Sequence, residues 1–96
     1  MLNLEQIISA ARVIAKEYPI SRIELFGSYA EGRNTPESDV DLLVEFKTDA
    51  VVTLLTLCKI KNKMEDLLNT PVDVIHSPIP ENAMIEIGKV VPLYAA

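Results

Sequence analysis

Two stretches of this chain place carboxylates where an apolar strand would rarely tolerate them unaided. Ser38-Asp39-Val40-Asp41-Leu42-Leu43-Val44 sets two acids two residues apart at the head of an apolar run. Side chains alternate between the faces of a strand, so Asp39 and Asp41 project together. Like charges held that close repel, and carboxylates seldom enter apolar strands without partners. A divalent cation removes both objections. Mg²⁺ takes oxygen ligands and commonly sits between one or two carboxylates and the phosphates of a substrate. Val72-Asp73-Val74-Ile75 supplies a third acid between two valines. If the two strands are neighbours, three carboxylates converge. That arrangement suits two metal ions, one orienting a triphosphate and one activating the attacking oxygen.

Gly27 and Ser28 offer the other half of a phosphate site. They end the apolar run Ser21–Phe26 and precede Tyr29-Ala30-Glu31-Gly32. A glycine lets backbone approach a phosphate closely, having no Cβ in the way. Ser28 brings a hydroxyl donor, and free N–H groups at a following helical turn attract anions. Gly32 permits a second tight bend. Arg33, on the loop beyond it, is a further candidate phosphate contact.

The elements that must position these residues follow from periodicity. Leu4, Ile7, Ile8, Ala11, Ile14, Ala15 and Tyr18 recur at three- and four-residue steps, one face of a helix. Asn3 with Gln6 forms its capping signal, and Pro19 stops it. Ser21–Phe26 reads as a strand, Tyr29–Gly32 as a helical turn, and Arg33–Ser38 as loop. Asp39–Phe46 is a second strand. Thr48 or Asp49 is expected to cap a long helix from about Ala50 to Leu68. Its buried stripe is expected to be Leu54, Leu57, Ile60, Met64, Leu67 and Leu68, with Lys59, Lys61, Lys63, Glu65 and Asp66 facing water. Asn69-Thr70-Pro71 turns the chain into a third strand, Val72–His76. Pro78 and Pro80 open a short helix through about Ile87, with Gly88 as its C′ residue. Val90–Tyr94 is a possible last strand, which Pro92 confines to a sheet edge. The order implies an α/β (α+β) fold, a small mixed sheet backed by helices.

Ninety-six residues fit one domain, 1–96. Half the chain is apolar and a quarter charged, the balance of a globular domain. The net charge is −5 and the basic residues are scattered, which argues against direct nucleic-acid binding, since that calls for a basic stripe. No apolar run approaches membrane-spanning length and no signal-like start is present, so a cytoplasmic protein is expected. Cys58 is the single cysteine, which excludes an intramolecular disulfide. Its neighbours Leu54, Leu55, Leu57 and Ile60 predict a buried small hydrophobe. His76 falls on the opposite strand face from Asp73 and reads as a surface or packing residue. Taken singly, Gly27-Ser28 could be a strand-ending turn, Asp39 a cap and Asp73 an edge-strand acid. All of them in this order and spacing favour the functional reading.

Gly27-Ser28, ten residues, then Asp39-Val40-Asp41 resembles the signature of the nucleotidyltransferase superfamily that includes DNA polymerase beta. Chain length and the Asp73 strand resemble the minimal nucleotidyltransferases of bacteria and archaea, including those of HEPN/MNT toxin–antitoxin pairs. The resemblance spans nearly the whole chain. It implies a nucleotidyltransferase fold in which Gly27 and Ser28 hold the β- and γ-phosphates of ATP. Asp39 and Asp41 would ligate Mg²⁺, and Asp73 would be the third ligand and a base for the incoming hydroxyl. The chain departs from the family pattern at Glu31, where members often carry a basic residue.

Two classes of function follow from the resemblance. The first is an enzyme moving AMP from ATP to a hydroxyl, the acceptor being a tyrosine of a small helical HEPN-type RNase toxin, so that AMPylation makes the enzyme an antitoxin. The second is a non-catalytic antitoxin that masks the partner's active site. Its acidic balance would suit a basic RNA-binding surface. Transfer to a small molecule would call for an additional helical domain.

Overall fold

The computed structural model describes residues 3–32, 38–76 and 90–95, the Ser28 side chain excepted. Local signals act at its head as the sequence predicts. Asn3 Oδ1 accepts from the Gln6 N–H at 2.9 Å, and Gln6 Oε1 accepts from the Asn3 N–H at 2.9 Å. This reciprocal cap starts α1 (Leu4–Glu17), which buries Ile7, Ala10, Ala11 and Ile14. The helix ends at Tyr18, extended because Pro19 disfavours helical backbone before it.

The strands are β1 (Ile20–Phe26), β2 (Val40–Phe46), β3 (Val72–His76) and β4 (Val91–Ala95). They form one mixed sheet in the order β3-β2-β1-β4. β1 pairs antiparallel with β2 and β4, whereas β2 and β3 run parallel. Parallel neighbours need a crossover, and α3 (Leu54–Leu68) supplies it. Pro92 lies in β4 on the outer edge, where its missing N–H is tolerated. α2 (Ser28–Glu31) is a single turn between β1 and β2.

Val40, Leu42, Val44 and Phe46 of β2 join Ile23, Leu25 and Val72 in one core with Ile7, Ile14, Ile60 and Met64 of the helices. Both long helices therefore back the same face of the sheet. Asp41 alternates with those β2 residues and so points to the other face.

α3 departs from expectation at its start. Thr48 and Asp49 belong to a turn in which the Ala50 N–H donates to the Lys47 carbonyl at 3.0 Å. Val51 and Val52 follow, and the helix begins only at Leu54. Its cap is Thr53, whose Oγ1 accepts from the Thr56 N–H at 3.3 Å while Thr56 Oγ1 accepts from the Thr53 N–H at 3.4 Å. The buried stripe is accordingly narrower: Ile60, Met64 and Leu68, with Leu57 partly covered. Leu54 is 76% exposed and Leu67 45%. Cys58 is exposed as well, because it lies on the helix flank with Leu54 and Leu55 rather than on the line of Ile60 and Met64.

Asn69 ends α3 in left-handed backbone, φ 52°. Asparagine and glycine accept that region; a Cβ without a local polar group does not. Asn69→Ala is expected to lower stability by about 1 kcal/mol and Asn69→Gly to leave it nearly unchanged, as thermal melting would show. The expected helix over Pro78–Ile87, and Gly88, fall outside the described residues. So does the loop 33–37.

Candidate active site

The register of the parallel pair sets Asp73 directly beside Asp41. Adjacent strands lie about 4.8 Å apart, and in-register parallel neighbours point to the same side. Asp39, two residues before Asp41, shares that side. The acids from two strands thus meet on the sheet face opposite the helices. Asp41 is half-buried; Asp39 and Asp73 are exposed.

Gly27 closes the site from the β1 side. Phe26 pairs with Asp41, so the chain leaves β1 alongside that carboxylate. Gly27 has φ +77°, and a Cβ there would overlap Asp41 Oδ2 and stand 3.2 Å from its Cγ. Glycine is required at this position by both the backbone and the carboxylate. The Glu31 N–H then donates to the Gly27 carbonyl at 3.1 Å, tightening the Gly-Ser turn into α2. Ser28 opens that turn, but its hydroxyl, like the whole of Arg33, lies outside the described residues. Glu31 is exposed at the end of α2.

Partial burial pushes the Asp41 carboxyl above its ordinary pKa, and the charges of Asp73 and Asp39 push it further. The site therefore favours positive charge, either a proton or a cation. As the side chains stand, no group of three His, Cys, Asp or Glu among the described residues is gathered closely enough to hold a metal ion. The donor chemistry and the backbone placement nevertheless fit a hard divalent ion: all donors are carboxylate oxygens. Asp39 and Asp73 are exposed, so turning them toward Asp41 disturbs no packing.

His76 belongs elsewhere. It stands at the far end of β3, its ring edge-on to Phe46 with centroids 5.2 Å apart. Two residues that the sequence places merely on a wet helix face turn out to touch the site's framework. Glu65 Oε2 accepts from the Val72 N–H at 3.0 Å and from Lys61 Nζ at 2.8 Å. The i,i+4 spacing of Lys61 and Glu65 signals their pairing with each other. Nothing in the sequence signals the bond to Val72.

The nucleotidyltransferase domain family matches residues 7–92. The chain belongs to that family. The enzyme class expected from the Gly-Ser and Asp-x-Asp spacing therefore stands. Protein adenylyltransferase MntA of Thermococcus cleftensis is 35% identical to this nucleotidyltransferase over 79 residues, 78% of each protein. A solved structure described as a minimal nucleotidyltransferase superposes with a TM-score of 0.74 at 27% identity, covering 95% of this chain and 96% of that one. It has the same mixed-sheet fold. An MNT antitoxin structure, determined with a tri-AMPylated HEPN toxin of Shewanella oneidensis, superposes at 0.71 with 14% identity, covering 98% of this chain and 74% of that one. Among the described residues no helix is long and apolar enough to cross a membrane.

Proposed function

We propose that this nucleotidyltransferase, as a single domain in the cytoplasm, moves AMP from ATP to a tyrosine of a HEPN-type toxin and so acts as its antitoxin. The observation that carries the reading is the pairing of Asp41 with Asp73, with Asp39 two residues away, against the Gly27 turn. The relative's adenylyltransferase name and the AMPylated toxin beside the MNT antitoxin support the choice of AMP and of acceptor. The net charge of −5 supports a protein acceptor over direct nucleic-acid binding.

Asp39 and Asp41 would hold Mg²⁺, with Asp73 as third ligand. When bound, the ion would supply neutralising charge to a triphosphate. Gly27 and Ser28 hold the β- and γ-phosphates, and Arg33 is a further phosphate contact. Asp73, exposed on the open face of the sheet, takes the phenol proton. The tyrosine oxygen bonds to the α-phosphorus, the bond from that phosphorus to the β-phosphate's bridging oxygen breaks, and pyrophosphate leaves. The acids sit on an open face, so the acceptor surface comes from the partner.

The test is incubation with Mg²⁺, α-labelled ATP and the helical protein encoded by the neighbouring gene. Label is expected on that protein and is expected to vanish with Asp39→Asn. Neutralisation of the toxin without label would instead support an antitoxin that only masks its partner.

A further inference from the structure

Among the described residues β3 is an edge strand, paired to β2 on one side only. The Val40 N–H donates to the Pro71 carbonyl at 2.9 Å, and in a parallel pair of this register the Val72 N–H then points away from β2. Edge N–H groups are ordinarily left to water. This one donates instead to Glu65 Oε2 of α3 at 3.0 Å. The same oxygen accepts from Lys61 Nζ at 2.8 Å, one helical turn earlier. Thr70 Oγ1 donates to the Leu68 carbonyl at 3.2 Å, so the crossover from α3 is fastened at successive points. The next residue after Val72 is Asp73.

We propose that Glu65 is a positioning residue for Asp73: its carboxylate fixes the Val72 amide on the open edge of β3, and with it the backbone from which Asp73 faces Asp41. The proposal rests on the reading of Asp73 as an ion-holding group. β3 has five residues, and Asp73 is the second. Ends of edge strands open most readily, while reacting groups must be placed to within about 1 Å. The ladder to β2, which begins with the Val40 bond, holds the strand's start on one side, and Glu65 holds it on the other. Lys61 Nζ, bonded to the same oxygen at 2.8 Å, helps aim that carboxylate; its hydrogen bond, ahead of the Val72 bond, lowers the Glu65 pKa.

Mn²⁺ binding, read by electron paramagnetic resonance with a non-hydrolysable ATP analogue present, tests this without an acceptor protein. Glu65→Ala and the one-methylene-shorter Glu65→Asp are expected to weaken Mn²⁺ binding about tenfold in protein that circular dichroism shows to be folded. Glu65→Gln, whose amide oxygen still accepts from the Val72 N–H, is expected to bind like wild type. Unchanged affinity in folded Glu65→Ala overturns the proposal, and so does a Glu65→Gln as weak as the alanine variant. Should Glu65→Ala fail to fold, Glu65→Asp decides under the same outcomes. Asp73→Asn is measured alongside. If it binds Mn²⁺ undiminished, the reading of Asp73 itself falls, whatever Glu65 does.

Discussion

Asp41→Asn is expected to lower AMP transfer by about 10³-fold or more while leaving the fold as stable as wild type, or more so, at neutral pH. The two effects have one cause. Asp41 is the half-buried member of the cluster, and burial, Asp73 and Asp39 all raise its pKa above 3.8. A carboxylate whose folded pKa is raised binds its proton more tightly folded than unfolded. Its contribution to stability is therefore greatest at low pH and is lost as pH rises from near 3.8 through the raised value. At pH 7 the ionised Asp41 opposes folding, and asparagine removes that opposition together with the ion's ligand. Melting at pH 7 in EDTA should show Asp41→Asn equal to or above wild type. Mg²⁺ with ATP should raise the wild-type midpoint and leave the variant's unmoved. A variant that melts well below wild type in EDTA, or still transfers AMP, would count against this account of the site.

Gly27→Ala should be nearly as damaging to transfer, by a different route. The alanine pays about 1–2 kcal/mol for its left-handed backbone, φ +77°. Its Cβ also overlaps Asp41 Oδ2, which can be relieved only by moving the carboxylate or the turn. The first cost lowers the melting midpoint by about 4–15 °C in a domain of this size. The second displaces a proposed ion ligand. Gly32→Ala separates the two. Gly32 also has positive φ, +73°, yet a Cβ there would meet nothing among the described residues within 4 Å. It should share the thermal loss and keep its AMP transfer. Equal activity losses at both glycines would show that the turn's flexibility, not its closeness to Asp41, matters.

The acids were legible in sequence because strand alternation is local. Asp39 and Asp41 share a face whatever the sheet around them, and Pro92 points to an edge strand on the same terms. The α1 cap was legible because Asn3 and Gln6 need only each other. The start of α3 was not. Thr48, Asp49 and Thr53 all carry capping oxygens, and the turn closed between Lys47 and Ala50 decides among them. That four-residue shift puts Leu54 in the exposed first turn, with Cys58 on the same flank. The direction of β3 and its register against β2 are tertiary facts, so the meeting of Asp73 with Asp41 was conditional in sequence and explicit in structure. Glu65 is the extreme case. Its partner is a backbone amide that becomes unpaired only once β3 takes the edge, a condition no side-chain pattern records.

The shared register of β2 and β3 makes quality control and activity inseparable in this chain. A slip of one residue would turn Asp73 under the helices and a valine outward, because side chains alternate. An unpaired carboxylate in the core costs several kcal/mol, against a total stability of about 5–15 kcal/mol for a domain. Mispaired copies would thus be degraded as unfolded protein instead of persisting as slow enzyme. Changes that let β3 slip against β2 should accordingly reduce how many active molecules a cell keeps, and hardly change how fast each one works.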